Sequence, residues 1–358
     1  MDYLFKNVFL NKKVLITGHT GFKGSWLTLW LVKLGAAVIG YSLDPHTPMD
    51  NFVVTGLKDK ITDIRGDIRD IGEMDKVFEA WQPEIVFHLA AQPIVGLSYK
   101  NPRETFETNI MGTVNLMECI KKSASVKSAI IVTSDKCYDN KEWLWGYREN
   151  DSLGGFDPYS SSKACCELVA SAYRNSFFTA AGNAPSNVGI ASVRAGNVIG
   201  GGDWSPGRII PDCIRALLNN DKIAIRNPNV VRPWQHVLEP LSGYLALAER
   251  LIESPAAYSE AWNFGPDENG AIQVEQLVKR LCDKWNPKGS YFVCEGNYPH
   301  EANMLKLDCS KAKSRLCWAP KWNIEKSLDK VVEWNRSLQE GQNMYEVCLK
   351  QIDEYALN

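Results

Sequence analysis

Tyr159 and Lys163 stand four residues apart, and Tyr159 alone among the 13 tyrosines has a lysine at that spacing. On a helix the two share a face. An ammonium close to a phenol stabilises the phenolate and lowers the tyrosine pKa. The pair would then be a base able to take a hydroxyl proton while hydride leaves the same carbon. Taken alone, the two residues are equally consistent with a surface pair. A glycine-rich segment sharpens the reading. Thr17-Gly18-His19-Thr20-Gly21-Phe22-Lys23-Gly24 closes the apolar run at residues 14–17. Gly18, Gly21 and Gly24 permit a tight turn and let backbone approach a pyrophosphate at a helix N-terminus. Thr20 and Phe22 belong to the same candidate cofactor loop. Asp44 follows Gly24 by 20 residues. A carboxylate there can bond both ribose hydroxyls and repel a 2′-phosphate, which selects NAD over NADP. Before Pro45 it can also be a plain turn residue. Asp67 and Ile68 follow an apparent third strand, where an adenine ring would lie; a solvated loop is the alternative.

Two further groups end strand-like runs. Thr133-Ser134-Asp135-Lys136-Cys137-Tyr138 follows the apolar residues 127–133, and Arg194-Ala195-Gly196-Asn197-Val198 ends another run. Open parallel sheets bind ligands beyond the carboxyl ends of their strands. The first group therefore points to where cofactor and substrate meet, unless it is a surface turn with a local ion pair. Arg208, Arg232 and His236 lie further on. Arginines at that edge suit a diphosphate, which they grip bidentately, although Arg232 can equally be a surface residue. Trp204, Trp234 and Trp262 offer stacking area, but core packing is the commoner fate of tryptophan.

These groups need a scaffold. Strand patterns at residues 14–17, 37–42, 84–89, 127–133 and 188–193 alternate with helical ones at 25–33, 71–81, 103–122 and 160–174. Asp70 is placed to cap the helix at 71–81. The alternation implies βαβ units and an α/β fold, a Rossmann-type doubly wound parallel sheet. After Asn197 the pattern becomes less regular, with Gly200-Gly201-Gly202 and several prolines, while residues 261–264 look like a strand returning to the first sheet. The expected division is residues 1–198 plus about 235–265 for the NAD-binding domain. About 199–234 plus 266–358 would form a smaller, partly interleaved C-terminal substrate lobe.

Composition excludes several classes. The net charge of −2 gives no field for nucleic acid or an anionic membrane. The longest apolar stretch, residues 26–41, is cut by Lys33 and Gly35 and is too short to span a bilayer. The 10 cysteines form no C-x-x-C pair and the 5 histidines are scattered, so a metal site is not expected and free thiols in a reducing cytoplasm are.

The glycine loop, the Tyr-x-x-x-Lys pair and the strand-end cluster resemble the extended short-chain dehydrogenase/reductases that act on nucleoside-diphosphate sugars. Phe87-His88-Leu89-Ala90-Ala91-Gln92, Ser134-Asp135-Lys136, Gly200-Gly201-Gly202-Asp203-Trp204 and Arg232-Pro233-Trp234-Gln235-His236-Val237 are similar to the CDP-glucose 4,6-dehydratase branch. The resemblance implies NAD as cofactor, with Leu89, Ala90 and Ala91 facing it, and CDP-glucose as substrate. It implies Thr133, Asp135, Lys136, Tyr159 and Lys163 as the catalytic set. Asn197 and Arg232 match diphosphate positions, with Arg208 and His236 also on the substrate side. It implies a cytoplasmic homodimer, or dimer of dimers, packed through the helices at 103–122 and 160–174. The dTDP-glucose dehydratases carry Asp-Glu where this chain has Asp135-Lys136. Lys136 would then be either the base at the sugar C5 or a charge that stabilises the enolate. An arginine usual in the nucleotide pocket is replaced by Pro299-His300-Glu301-Ala302. The alternatives are another sugar-nucleotide dehydratase, a 4-epimerase, or a non-catalytic NAD-binding protein.

Overall fold

Seven parallel strands form the spine of the chain, and their order explains where a site can exist. The computed structural model describes residues 4–178, 187–267, 270–285, 290–294 and 302–357. In chain order the strands are β1 (Lys13–Thr17), β2 (Ala37–Ser42), β3 (Thr62–Arg65), β4 (Ile85–His88), β5 (Ser128–Val132), β6 (Gly189–Ala195), β7 (Asn197–Ile199), β8 (Ile223–Ile225), β9 (Val231–His236), β10 (Ala261–Phe264), β11 (Ala271–Gln273) and β12 (Tyr291–Val293). The helices that matter below are α1 (Phe22–Lys33), α2 (Asn51–Val54), α3 (Ile71–Trp81), α4 (Val95–Lys100), α5 (Pro102–Phe106), α6 (Gly112–Lys122), α7 (Pro158–Phe177), α8 (Ile209–Leu218) and α9 (Leu238–Glu253).

The main sheet runs β10-β6-β5-β4-β1-β2-β3. Every pairing in it is parallel. The order reverses between β1 and β4, which makes the crevice beyond their carboxyl ends the natural ligand site. β4, β5 and β6 are buried along their whole length, as a sheet covered on both faces requires. One apolar cluster fills each face, around Trp26, Trp30 and Trp262 on one side and Leu15, Ile131 and Leu116 on the other.

The expected elements form, with informative differences. β2 and α3 match their expected limits, and Asp70 caps α3 by accepting from the Glu73 amide at 3.1 Å. α1 begins three residues early, at Phe22, so the glycine loop runs straight into helix. The long helix at 103–122 is interrupted by one π-type turn, Glu107–Met111. The extra residue places Asn109 where its side chain bonds Gln92 and the Ser162 hydroxyl, joining this helix to α7. β10 pairs with β6, so the strand at 261–264 does rejoin the sheet. A three-stranded sheet, β11-β9-β7, and the β12-β8 pair carry the irregular region. Its own core surrounds Ile210, Ile214, Leu277 and Val331. The C-terminal residues Trp334, Met344, Ile352 and Tyr355 pack instead on the main sheet's α1 face.

The glycine run at 200–202 is where the returning chain crosses α1. The Trp26 indole donates to the Gly201 carbonyl at 2.9 Å. A Cβ on Gly201 would run into the Trp334 ring, while Gly200 abuts Phe22 and Val237. Gly201→Ala should therefore destabilise the fold by about 1–3 kcal/mol, the usual cost of overpacking. Urea unfolding checks this, and an unchanged midpoint would show that the crossing has slack.

Candidate active site

The glycine loop is built for close approach. Gly18 has φ +77° and touches β4's end, where a Cβ would lie 2.6 Å from the Ala90 amide nitrogen. A Cβ on Gly24 would strike the Gly18 carbonyl. Gly21 precedes α1 without a side-chain cap, so the first turn of the helix presents its N–H groups to the crevice. This cradle fits a dinucleotide pyrophosphate. The Leu89 amide bonds Thr17 carbonyl at 3.0 Å and the Ala90 amide bonds the Thr17 hydroxyl at 3.3 Å, which locks Leu89, Ala90 and Ala91 beside the loop. The Thr20 hydroxyl bonds Ser42 at 2.8 Å and the Leu43 carbonyl at 3.1 Å, tying the loop to β2.

Asp44 follows β2 with its side chain 86% exposed and its carboxylate 3.3 Å from Arg65 Nε. Asp67 grips Arg69 through both oxygens, which holds its carboxyl below the usual range. Ile68 is buried, and its carbonyl accepts from Asn115 at 3.0 Å.

Beyond β5 the chain makes one 3-10 turn, Asp135–Cys137, capped by Ser134. Across from it, α7 opens with Asp157 as cap and Pro158 in its first turn. Tyr159 therefore lies in the helix's first turn, facing the strand end. The hydroxyl that reaches Tyr159 belongs to Ser134. Thr133, taken from the sequence as the catalytic hydroxyl, turns the other way and donates to buried Glu167, with the Val193 carbonyl at 3.1 Å. Successive residues at a strand end face opposite sides, and that alternation is the signal that could have singled out Ser134.

The Tyr159 phenol does not behave as its lysine spacing suggested. Burial pushes it up to about 12; the Ser134 hydrogen bond and the Arg208 charge pull down, against Asp135 and Asp157. Lys163 donates to the Val132 carbonyl at 3.1 Å. Burial lowers its own pKa, opposed by neighbours that include Glu167. The Asp135 carboxyl is raised by burial more than Lys136, the Ser134 hydroxyl, Arg232 and Lys23 lower it. One of its oxygens accepts from Ser134 at 3.0 Å, and the other has no hydrogen-bond partner among the described residues.

Lys136, Arg232 and Lys23 act on this carboxyl, and Arg208 lies near Lys23 and Tyr159. Lys136 is the sequence neighbour of Asp135 and partly buried. Arg232, on β9, is buried and donates to the Val231 carbonyl at 3.0 Å. Arg208 caps the approach to α8 and pairs with Asp203 at 2.9 Å. Lys23, in the first turn of α1, joins them. Burial, with Arg208 and Lys163 adding to it, brings its ammonium down to about 8, against Asp135 and Asp203. Asn197 opens β7, half-buried beside Trp234. His236 is not brought into this group. It is fully buried, with its ring against Trp26 and Trp322 and its Nδ1 accepting from the Leu238 amide. A packed histidine between tryptophans satisfies the core rather than a ligand. Trp234 and Trp262 are core residues as well, while Trp204 is half-buried. The Pro299-His300-Glu301 departure lies outside the described residues. No metal-binding cluster occurs among the described residues.

Comparison with known proteins extends this picture. Residues 15–331 match the family model described as GDP-mannose 4,6 dehydratase. The chain is 51% identical over 350 residues to the CDP-glucose 4,6-dehydratase of Salmonella typhimurium, covering 98% of each protein. It is 25% identical to the dTDP-glucose 4,6-dehydratase of the same organism, over 90% of this chain and 92% of that one. Among solved structures, the dTDP-glucose 4,6-dehydratase of Streptomyces venezuelae, crystallised with NAD, superposes with a TM-score of 0.77 at 23% identity, over 93% of this chain and 99% of that one. The UDP-glucose 4-epimerase of Thermotoga maritima gives 0.76 at 24%, over 91% and 99%. At such identities the two structures speak for the shared fold.

His88, the last residue of β4, is buried beside the glycine loop. Its ring bonds the Thr17 hydroxyl at 2.7 Å and lies 3.3 Å from the Thr113 hydroxyl. Burial, with Lys163 nearby, depresses its pKa to about 3. An imidazole that titrates near 6.5 unfolded and far lower in the fold takes up a proton on unfolding anywhere between. Its stabilising effect is complete above about pH 6.5 and declines as pH falls towards 3, by about 1.4 kcal/mol per pH unit. Buried His236, also at about 3, adds the same slope. Urea unfolding between pH 7.5 and 5 should show the decline, and His88→Gln should make it shallower while His236 keeps its own share. An unchanged slope in that variant would remove His88 as a source.

Proposed function

The chain belongs to the GDP-mannose 4,6 dehydratase family, and from that premise we propose that it is a lyase that dehydrates CDP-glucose to CDP-4-keto-6-deoxyglucose with NAD as cofactor. The sugar is oxidised at C4, water is lost across C5 and C6, and hydride returns to C6. NAD, when bound on the glycine loop, supplies the hydride acceptor and donor. The observation that carries the catalytic half is the convergence of Tyr159, Ser134 and Asp135 at the carboxyl ends of β5 and α7's first turn, beside that loop. The choice of CDP-glucose is supported by the 51% identity to the Salmonella enzyme over nearly the whole chain.

Each residue has a distinct task. Tyr159 takes the C4 hydroxyl proton, and the Ser134 hydroxyl with the Arg208 charge favours the phenolate it needs. Lys163, one turn behind, presents a cation to the same end of the helix. Asp135, whose burial favours the protonated carboxyl, gives its proton to the departing C6 hydroxyl. Lys136, in its uncharged form, removes the C5 hydrogen once the C4 ketone has acidified it, and returns a proton to C5 when hydride reaches C6. Arg208, Arg232 and Asn197 hold the diphosphate. Asp44, Asp67 and Ile68 hold the adenosine end of NAD.

The assembly is a homodimer or a dimer of dimers, with α5–α6 and α7 as the contact. Met111, in the π-type turn between α5 and α6, and Leu168, on α7, are 49% and 58% exposed, apolar surface that a partner would cover. No helix among the described residues is long and apolar enough to cross a membrane. The 10 cysteines are unpaired, which fits the reducing cytoplasm as its location.

Incubation with CDP-glucose should yield a 4-keto-6-deoxy sugar nucleotide; a C4 epimer that keeps its 6-hydroxyl would overturn the reading. Tyr159→Phe should fold and lose about 10²–10⁴-fold in turnover, the usual weight of a general base. Near-full activity would assign the proton to another group.

The elimination step separates two roles of Lys136. In Lys136→Met, single-turnover reduction of the cofactor should survive while exchange of the C5 hydrogen with deuterated solvent collapses. Exchange at the unaltered rate would leave Lys136 only an electrostatic part.

A further inference from the structure

The adenosine corner of the crevice holds an arginine in addition to Asp44. Arg65 is the last residue of β3, and its side chain reaches across to the end of β2. Its Nε lies 3.3 Å from the Asp44 carboxylate, one terminal nitrogen donates to the Leu43 carbonyl at 3.2 Å, and the other to Asp63 at 2.8 Å. The guanidinium lies over the Phe52 ring, 5.2 Å from its centre. Asp63 is anchored in turn, because its other oxygen meets His19 of the glycine loop at 2.7 Å. The arginine is thus fixed on one side by a buried carboxylate and a carbonyl, and on the other it restrains a carboxylate that is 86% exposed.

We propose that Arg65 is a second determinant of cofactor choice: it steadies Asp44 against the ribose hydroxyls, and becomes the grip for a 2′-phosphate once Asp44 loses its charge. The inference rests on the glycine loop holding NAD. Two carboxylates and one guanidinium leave the corner with a net charge of about −1, with His19 kept neutral by its burial. That balance repels the 2′-phosphate of NADP. Neutralising Asp44 removes the repulsion and at the same time frees the Nε edge of a planar fork that matches phosphate geometry. Asp44 alone therefore keeps NADP out of a site whose cationic partner is already in place.

The test is equilibrium titration of NAD and NADP against the full-length protein, without sugar nucleotide, by calorimetry. Asp44→Asn should bind NADP at least tenfold more tightly than the unaltered protein does. Arg65→Gln alone should weaken NAD several-fold and gain nothing for NADP. The double variant Asp44→Asn, Arg65→Gln should lose the NADP gain, and Arg65→Lys beside Asp44→Asn should keep part of it, as a point charge without the fork. A double variant that binds NADP as tightly as Asp44→Asn would overturn the role of Arg65, and so would an Asp44→Asn protein that binds NAD but gains nothing for NADP. Failure of the unaltered protein to bind either dinucleotide would instead sink the cofactor reading beneath it. Circular dichroism of each variant establishes that it is folded; an unfolded Arg65→Gln is replaced by Arg65→Lys alone, whose NAD affinity should fall less than tenfold.

Discussion

The buried ion pair between Glu167 and Arg194 is the contact on which the site's geometry depends. Both side chains are 3% exposed and meet at 2.9 Å. Burial alone would raise the Glu167 carboxyl, but Arg194, Ser192 and Thr133 together hold it below the usual range. These three donors come from two strands: Thr133 directly follows β5, while Ser192 and Arg194 belong to β6. One carboxylate on α7 therefore fixes that helix against two strands. Glu167 follows Lys163 by four residues and Tyr159 by eight, so all three share one face of α7. Arg194 carries the constraint onward. It donates to the Tyr138 hydroxyl at 2.7 Å, and Tyr138 bonds Asn263 on β10 at 2.8 Å. The turn bearing Ser134, Asp135 and Lys136 is thus held from both ends. Removing one partner from such a pair costs about 3–5 kcal/mol, whereas replacing both by packed apolar groups is often neutral. The pair is better understood as setting position than as adding stability.

The same economy governs how the two parts of the chain interlock. The returning segment crosses α1 at Gly200–Gly202 because nothing larger fits between Phe22, Trp26 and Trp334. That crossing brings Asp203 and Arg208, paired with each other, close to Lys23 of the glycine loop. β7 and β9 then place Asn197 and Arg232 along the same rim. The loop that cradles a pyrophosphate and the arginines proposed to hold a second diphosphate are therefore positioned by one packing event.

Much of this was legible in the sequence, because parallel strands buried on both faces read as apolar runs and helices announce their caps. β2, α3 and the return of residues 261–264 to the sheet follow from those patterns. β3 is harder to see: Thr62, Asp63 and Ile64 are only half-buried, and the strand serves mainly to carry Asp63 and Arg65. The site was legible by residue type and less so by direction. Thr133 and Ser134 are adjacent and chemically alike, yet one faces Glu167 and the other Tyr159. His236 has the chemistry of a ligand-binding residue and the surroundings of a core one. The spacing of Tyr159 and Lys163 placed them correctly on one face, but spacing carries no information about burial, and burial sets the phenol's pKa. Lys23 is hard to see for a related reason, since a lysine beside a glycine loop normally reads as solvated, whereas here its ammonium is buried at the first turn of α1.

Net charge was equally uninformative about the crevice. The chain carries −2 overall, yet Lys23, Lys163, Arg208 and Arg232 converge near Asp135, Tyr159 and Asp203. Like charges drawn together out of water repel, and Lys23 records it: burial beside Arg208 and Lys163 brings its ammonium down to about 8. A second consequence falls on Asp135. Cations close to a carboxyl normally make it a stronger acid, yet here burial prevails and the protonated form gains. An anionic diphosphate drawn into the crevice would neutralise those cations and screen their pull on the carboxyl. By the same electrostatics its arrival would raise Lys23 and carry Asp135 further towards the protonated state. The group proposed to donate a proton to the leaving hydroxyl would then be best prepared when its substrate is in place, through charge alone and with no movement of the backbone.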